Sequence, residues 1–138
     1  MSLFNVFNVT GSAMSAESVR LNTTSSNLAN ANSVSSSAAE TYKARHPVFA
    51  AELNRFNGQQ GASVPVSVAG IVESQKPLRA EYNPDHPMAN AEGYIFKPNV
   101  NVMEEMANMI SASRSYQTNV EVAEASKQML MRTLQMGK

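Results

Sequence analysis

The stretch "SSNLANANS", Ser25–Ser33, holds three asparagines, one large apolar side chain and no charge. It closes a segment in which Phe4, Phe7, Gly11, Met14, Ser18, Leu21, Ser25 and Leu28 recur at alternating spacings of three and four. That spacing lays one stripe along a helix, with the 3.5-residue period of coiled-coil packing. Asparagine tolerates left-handed backbone and caps helix ends. Asn27, Asn30 and Asn32 therefore read as a helix stop. A primary amide also carries a donor and an acceptor without a charge to desolvate, so the same three residues are candidates for bonds between subunits.

Working outward, all six prolines fall between Pro47 and Pro98. Proline breaks helix interiors, so the chain divides into an N-terminal helical arm (1–40), a small β-rich middle (41–99) and a C-terminal helical arm (100–138). The second arm carries its own stripe: Val102, Met106, Met109, Ser113, Tyr116, Val120, Ala123, Lys127, Leu130 and Leu134. Pro98 precedes it, Asn101 can cap it, and Glu104 three residues on can return the bond. Arg132 and Lys138 suit the far end of the helix dipole. The predicted fold class is mainly α with a small β-rich insert, the two long helices pairing as a coiled coil into one core.

A small antiparallel bundle accounts for two such helices. Three features favour neighbours outside the chain. Ser18, Ser25, Ser113 and Lys127 stand where a stable dimer seam wants Leu or Ile. Met103, Ile110, Val122, Met129, Met131 and Met136 lie off the second stripe, and a helix apolar on more than one face has more than one neighbour. The Ser/Thr/Asn-rich first arm has modest helix propensity, so it is expected to await a packing surface. The predicted interface is Phe4, Phe7, Met14, Leu21, Asn27, Leu28, Asn30, Asn32, Met106, Met109, Ile110, Tyr116, Val120, Ala123, Leu130 and Leu134.

In the middle, "TYKARHPVF", "SVPVSVAGIV" and "GYIF" read as short strands, about four in all, with Pro47 and Pro65 at edges. "NGQQG" (57–61) reads as a flexible turn and "YNPDHPMANAEG" as a proline-punctuated loop. Eleven basic and eleven acidic residues balance to zero, which gives no footprint for nucleic acid or an anionic membrane. There is no cysteine, hence no thiolate nucleophile or Cys-based metal site. No segment reaches the roughly 20 apolar residues of a membrane span, and the first twenty residues lack the pattern of a cleavable signal. His46 and His86 both stand beside proline and read as turn histidines. A small enzyme built on them is the competing reading, and a monomeric helical adaptor is another. No phosphate loop, HExxH or serine elbow is present. The expectation is a non-enzyme with no cofactor and no metal.

Asn27-Leu28-Ala29-Asn30 is similar to the Asn-Leu/Ile-Ala-Asn signature of rod and hook proteins, and "EGYIFKPNVNVMEEMANMISASRSYQTNVEV" resembles the proximal-rod C subfamily almost throughout. With "AGIVESQKPLRAEYNPDHP", the resemblance to the bacterial flagellar basal-body rod family of axial proteins covers most of the chain. It implies a structural subunit of the periplasmic proximal rod, exported through the flagellar type III apparatus without a cleaved signal. It also implies terminal helices that stack as an inner tube and transmit torque toward the hook, with the middle segment outside. The implied partners are copies of itself, the other proximal-rod proteins and the junction protein at the rod base.

Overall fold

The structure, a computed structural model, describes residues 3–52 and 64–137, with side chains from residue 5 onward. The side chain of Phe4 and the whole of "NGQQG" lie outside that description. Helix α1 spans Leu3–Asn30. It is followed by β1 (Arg45–Ala51), β2 (Val66–Glu73), β3 (Arg79–Tyr82), β4 (Tyr94–Lys97) and helix α2 (Val102–Met136). The outcome is two long helices with two antiparallel strand pairs between them, β1 with β2 and β3 with β4.

Arg20 Nη2 donates to Asn108 Oδ1 at 3.1 Å. At the end of α1, Ala31 and Asn32 share a cleft of about 330 Å³ with Val102 and Met103 at the start of α2. The helices therefore pack side by side and antiparallel. The residues that α1 buries are Thr10, Ala16, Thr23, Thr24 and Asn27, and those of α2 are Glu105, Ala112 and Ser126. This differs from the two stripes read from the sequence. On α1 the buried line passes through Thr24 and Asn27, one residue before Ser25 and Leu28, and one residue turns a helix by about 100°. Gly11, Ser18 and Ser25 face outward, while Phe7, Met14, Leu21 and Leu28 are left half-buried along one side.

The cause is side-chain size and self-satisfaction. Small residues let two helices approach closely, since interaxial distance follows the side chains at the contact. Their polar groups need no partner across the seam. Thr10, Thr23 and Ser126 each donate their hydroxyl to the carbonyl four residues earlier at 2.8 Å. Such back-bonding lets a polar residue be buried inside a helix contact without an orphaned hydroxyl.

Asn101 caps α2 as expected, its side chain accepting from Met103 N at 3.2 Å and Glu104 N at 3.5 Å. Glu104 does not return the bond; it lies 3.5 Å from Lys76 Nζ, on the strand-bearing segment. The far end also differs from expectation. Helix α2 has no basic residue in its last turn, Arg132 falling one turn short, and Lys138 is outside the described residues.

The strands shift too. β1 begins at Arg45 rather than Tyr42, and β2 at Val66 rather than Val64. Pro47 lies in β1, and every strand of a two-stranded sheet is an edge, as a strand proline requires. β3 went unseen in the sequence because all four of its residues are exposed. It is a strand through its pairing with β4, from Arg79 opposite Lys97 to Tyr82 opposite Tyr94. Gly93 is required in the turn that joins them. Its φ is 81°, and a Cβ there would stand 2.8 Å from Tyr82 Cε2.

Candidate assembly surface

The surface is shaped at the junction where α1 ends, α2 begins and the strands depart. Asn27, which is 0% exposed, is the hub of that junction. Its Nδ2 donates to Arg45 O at 2.8 Å. Its Oδ1 accepts from Arg45 N at 2.9 Å and from the Tyr42 hydroxyl at 2.8 Å. These three bonds lie inside the chain and hold the start of β1 against the end of α1. Burial raises the Tyr42 pKa above the ordinary value of 10.0, with Arg45 opposing and Glu105 and Glu73 adding to the rise.

A second asparagine, unremarked in the sequence, completes the clamp. Asn99 Oδ1 accepts from Ala44 N at 2.8 Å, and its Nδ2 donates to Lys76 O at 2.7 Å and Ser74 O at 3.3 Å. Two amides thus grip adjacent residues of one backbone, Ala44 and Arg45. Nothing in local spacing marks Asn99, because its partners lie 23 to 55 residues away.

Asn30 ends α1, with its Nδ2 donating back to Ser26 O at 2.8 Å. Asn32 is exposed beyond the end. No non-glycine residue among those described has a positive φ. The stop is therefore made by tight turns, Ala31 N to Leu28 O at 3.2 Å and Ser33 N to Asn30 O at 3.0 Å, and not by a left-handed asparagine.

From β1 the chain runs back along α1. Val66 N donates to Ser12 Oγ at 3.1 Å, and Ala13, Ala16 and Glu17 wall a small cavity of about 270 Å³ with Phe49 and Val66. Glu105, only 2% exposed, has its Oε1 3.9 Å from His46 Nδ1, while its Oε2 has no hydrogen-bond partner. His46 itself sits in β1 and not in a loop. His86 is the turn histidine expected, its Nδ1 accepting from Met88 N at 3.0 Å. Among the described residues no three potential ligands gather to hold a metal ion.

The remaining interface candidates are distributed unevenly. Phe7, Met14, Leu21, Leu28, Met109, Ala123 and Leu130 are half-buried, and Met106, Ile110, Tyr116, Val120 and Leu134 are exposed. The stripe drawn on α2 is thus the flank of the α1 contact rather than its centre. Large apolar side chains left outside this way, on one helix, mark an interaction surface.

Comparison with known proteins bears on what that surface meets. Residues 7–35 match the model of the flagella basal body rod protein family, and residues 91–136 match that of the flagellar basal body rod FlgEFG protein C-terminal family. The flagellar basal-body rod protein FlgC of Salmonella typhimurium (strain LT2) is 46% identical over 137 residues, covering 99% of each chain. The chain belongs to the FlgC family. The FlgC of Escherichia coli O6:H1 (strain CFT073) is 46% identical over 138 residues, and that of Bacillus subtilis (strain 168) is 35% identical over 150 residues, covering both chains fully. The matched segments hold α1 from Phe7 to its Asn-Leu-Ala-Asn end and all of α2. Like its FlgC relatives, the chain is a structural rod subunit of the flagellar basal body. No helix among the described residues is long and apolar enough to cross a membrane.

Proposed function

We propose that the chain is a proximal-rod subunit that assembles helically through α1 and α2 and carries motor torque toward the hook. The two helical arms (1–40 and 100–138) form one inner-tube unit, and residues 41–99 lie outside it. Phe7, Met14, Leu21 and Leu28 on α1, with Met106, Ile110, Tyr116, Val120 and Leu134 on α2, meet neighbouring subunits. Those neighbours are copies of this chain, the other proximal-rod proteins and the junction protein at the rod base. The chain reaches the periplasm through the flagellar type III apparatus.

The observation that carries this reading is how little the chain buries. Its accessible surface is 9546 Å² for 14.9 kDa, against about 7,000 Å² for a compact monomer of that mass. The excess is of the order buried in permanent interfaces, about 2,000 Å² and upward. Apart from Pro98, the buried apolar side chains among the described residues are Ala16, Ala44, Ile95, Val100 and Ala112, and three of these five are alanines. Many modest contacts along two helices suit a torque-bearing rod better than one hot spot.

Limited proteolysis, with fragment masses measured on the dilute chain and on isolated basal bodies, tests it. Cleavage of both arms in dilute solution and their protection in basal bodies is the expected result. Equal resistance along the whole dilute chain, or absence of the chain from basal bodies, overturns it.

A further inference from the structure

The β1–β2 ribbon is tied to one helix and only approaches the other. Its two ends are bonded to α1. Asn27 exchanges two bonds with the backbone of Arg45, at 2.8 and 2.9 Å, and Ser12 Oγ accepts from Val66 N at 3.1 Å. Arg45 pairs with Glu73 at one end of the ribbon, and Val66 with Ala51 at the other. Toward α2, what reaches across is His46 of β1, whose Nδ1 stands 3.9 Å from Glu105 Oε1. A nitrogen–oxygen hydrogen bond needs about 2.7–3.2 Å, so the two groups face each other across a gap roughly 1 Å too wide.

Glu105 gives that gap a cost. Its side chain is 3% exposed, and its Oε2 has no hydrogen-bond partner. A carboxylate buried without partners is expensive, and its place in the first turn of α2 offsets only part of that through the helix dipole. The other groups of this region are engaged elsewhere. Arg45 lies 3.3 Å from Glu73, Lys76 lies 3.5 Å from Glu104, and the Tyr42 hydroxyl donates to Asn27. Glu17 Oε2, the other unpartnered buried oxygen among the described residues, has Arg20 Nη1 at 3.7 Å. The His46 side chain is 42% exposed, so its ring has room to turn. A subunit that covers Val48, Ile71 and Val72, at 43–53% exposure, favours whichever position of the ribbon it contacts better.

We propose that the ribbon is a strap poised to close. On entry into the rod, β1 moves about 1 Å toward α2 and His46 Nδ1–H donates to Glu105, which ties the middle segment to both helices. This deepens the assembly reading above and rests on it. The unmatched carboxylate is then an acceptor held in reserve: it costs stability in the free chain and gains its donor in the assembled one.

A double-mutant cycle tests it, on the purified chain and in isolated basal bodies. His46→Phe keeps a ring without a donor, and Glu105→Leu removes the carboxylate. In the purified chain, urea unfolding should show the two changes to be additive within about twofold in the unfolding constant. Glu105→Leu should leave that chain at least as stable as the parent, since it deletes an unpartnered buried charge. In basal bodies each single change should lower recovery of the chain about fivefold, the weight of one hydrogen bond, and the double change should lower it no further. Coupling already present in the purified chain, or a loss of stability in Glu105→Leu, means that the strap is closed from the start and overturns the proposal. Undiminished recovery, or a double change near the additive value of about twenty-five-fold, overturns it too, while the assembly reading stands. Failure of the parent chain to enter basal bodies removes the assembly reading itself.

Discussion

The junction around Asn27 and the two ends of α2 solve opposite problems. At the junction almost every polar group is matched within the chain, and few apolar atoms are involved. At the ends of α2 large apolar groups stand half or more exposed to water. The first region fixes where the strands leave the helices; the second is where the proposed assembly would place another molecule. The difference teaches that this fold spends its hydrogen bonds on geometry and, on the proposed reading, its apolar surface on association. A substitution in one region should therefore act on folding, and in the other on assembly.

The largest effect is expected at the hub. Asn27→Ala leaves Arg45 N, Arg45 O and the Tyr42 hydroxyl without partners in a buried site. At about 1–3 kcal/mol for each orphaned group, the variant should lose some 3–5 kcal/mol, much of a small domain's total stability. Urea unfolding monitored by circular dichroism measures it. A loss under 1 kcal/mol would mean that Asn27 is not the hub described.

Asn99→Ala sharpens the point. It removes the second grip on Ala44 and should cost about 2–3 kcal/mol by the same measurement. Gly93→Ala comes next. A side chain at a φ of 81°, with its Cβ 2.8 Å from Tyr82 Cε2, costs about 1–3 kcal/mol. The damage should stay in the β3–β4 turn, so that hydrogen exchange there rises while α1 and α2 keep their protection.

Tyr42 gives the comparison a pH axis. A folded-state pKa raised above 10.0 favours the neutral, donating phenol. Its contribution is therefore full below pH 10 and is lost as pH rises through the raised value. Stability should fall on the alkaline side, and Tyr42→Phe should flatten that part of the profile. If the fall persists unchanged in Tyr42→Phe, another group is responsible.

The smallest effect on stability should come from Met103→Ser with Leu134→Ser. Both sites are exposed, and surface changes of this kind stay within about 0.5 kcal/mol. Motility on soft agar and recovery in basal bodies should nevertheless drop sharply. A variant that swims normally would erase the contrast between the two regions.

Much of this was readable from residue order. Proline placement separated helix from insert because proline acts on its own backbone. The cap at Asn101 and the end of α1 at Asn30 were legible for the same reason, their bonds spanning one helical turn. The family signature at Asn27–Asn30 was legible too, but the physical role of Asn27 was not. Its partners, Tyr42 and Arg45, come from beyond the loop, and only the return of the chain along α1 makes it a buried hub.

The sequence by itself determined two long helices around a proline-bearing insert, the absence of cysteine chemistry, and a neutral charge balance. These follow from local backbone preference and composition. Only the tertiary structure decided which helix faces meet, that β3 is a strand, and that Asn99 holds Ala44. A 3-4 apolar stripe marks the face that prefers to leave water, and the seam is instead the face that lets two backbones come close. In this chain those faces are about one residue apart. The small, self-bonded residues took the inside, and the large apolar ones were left on the outside.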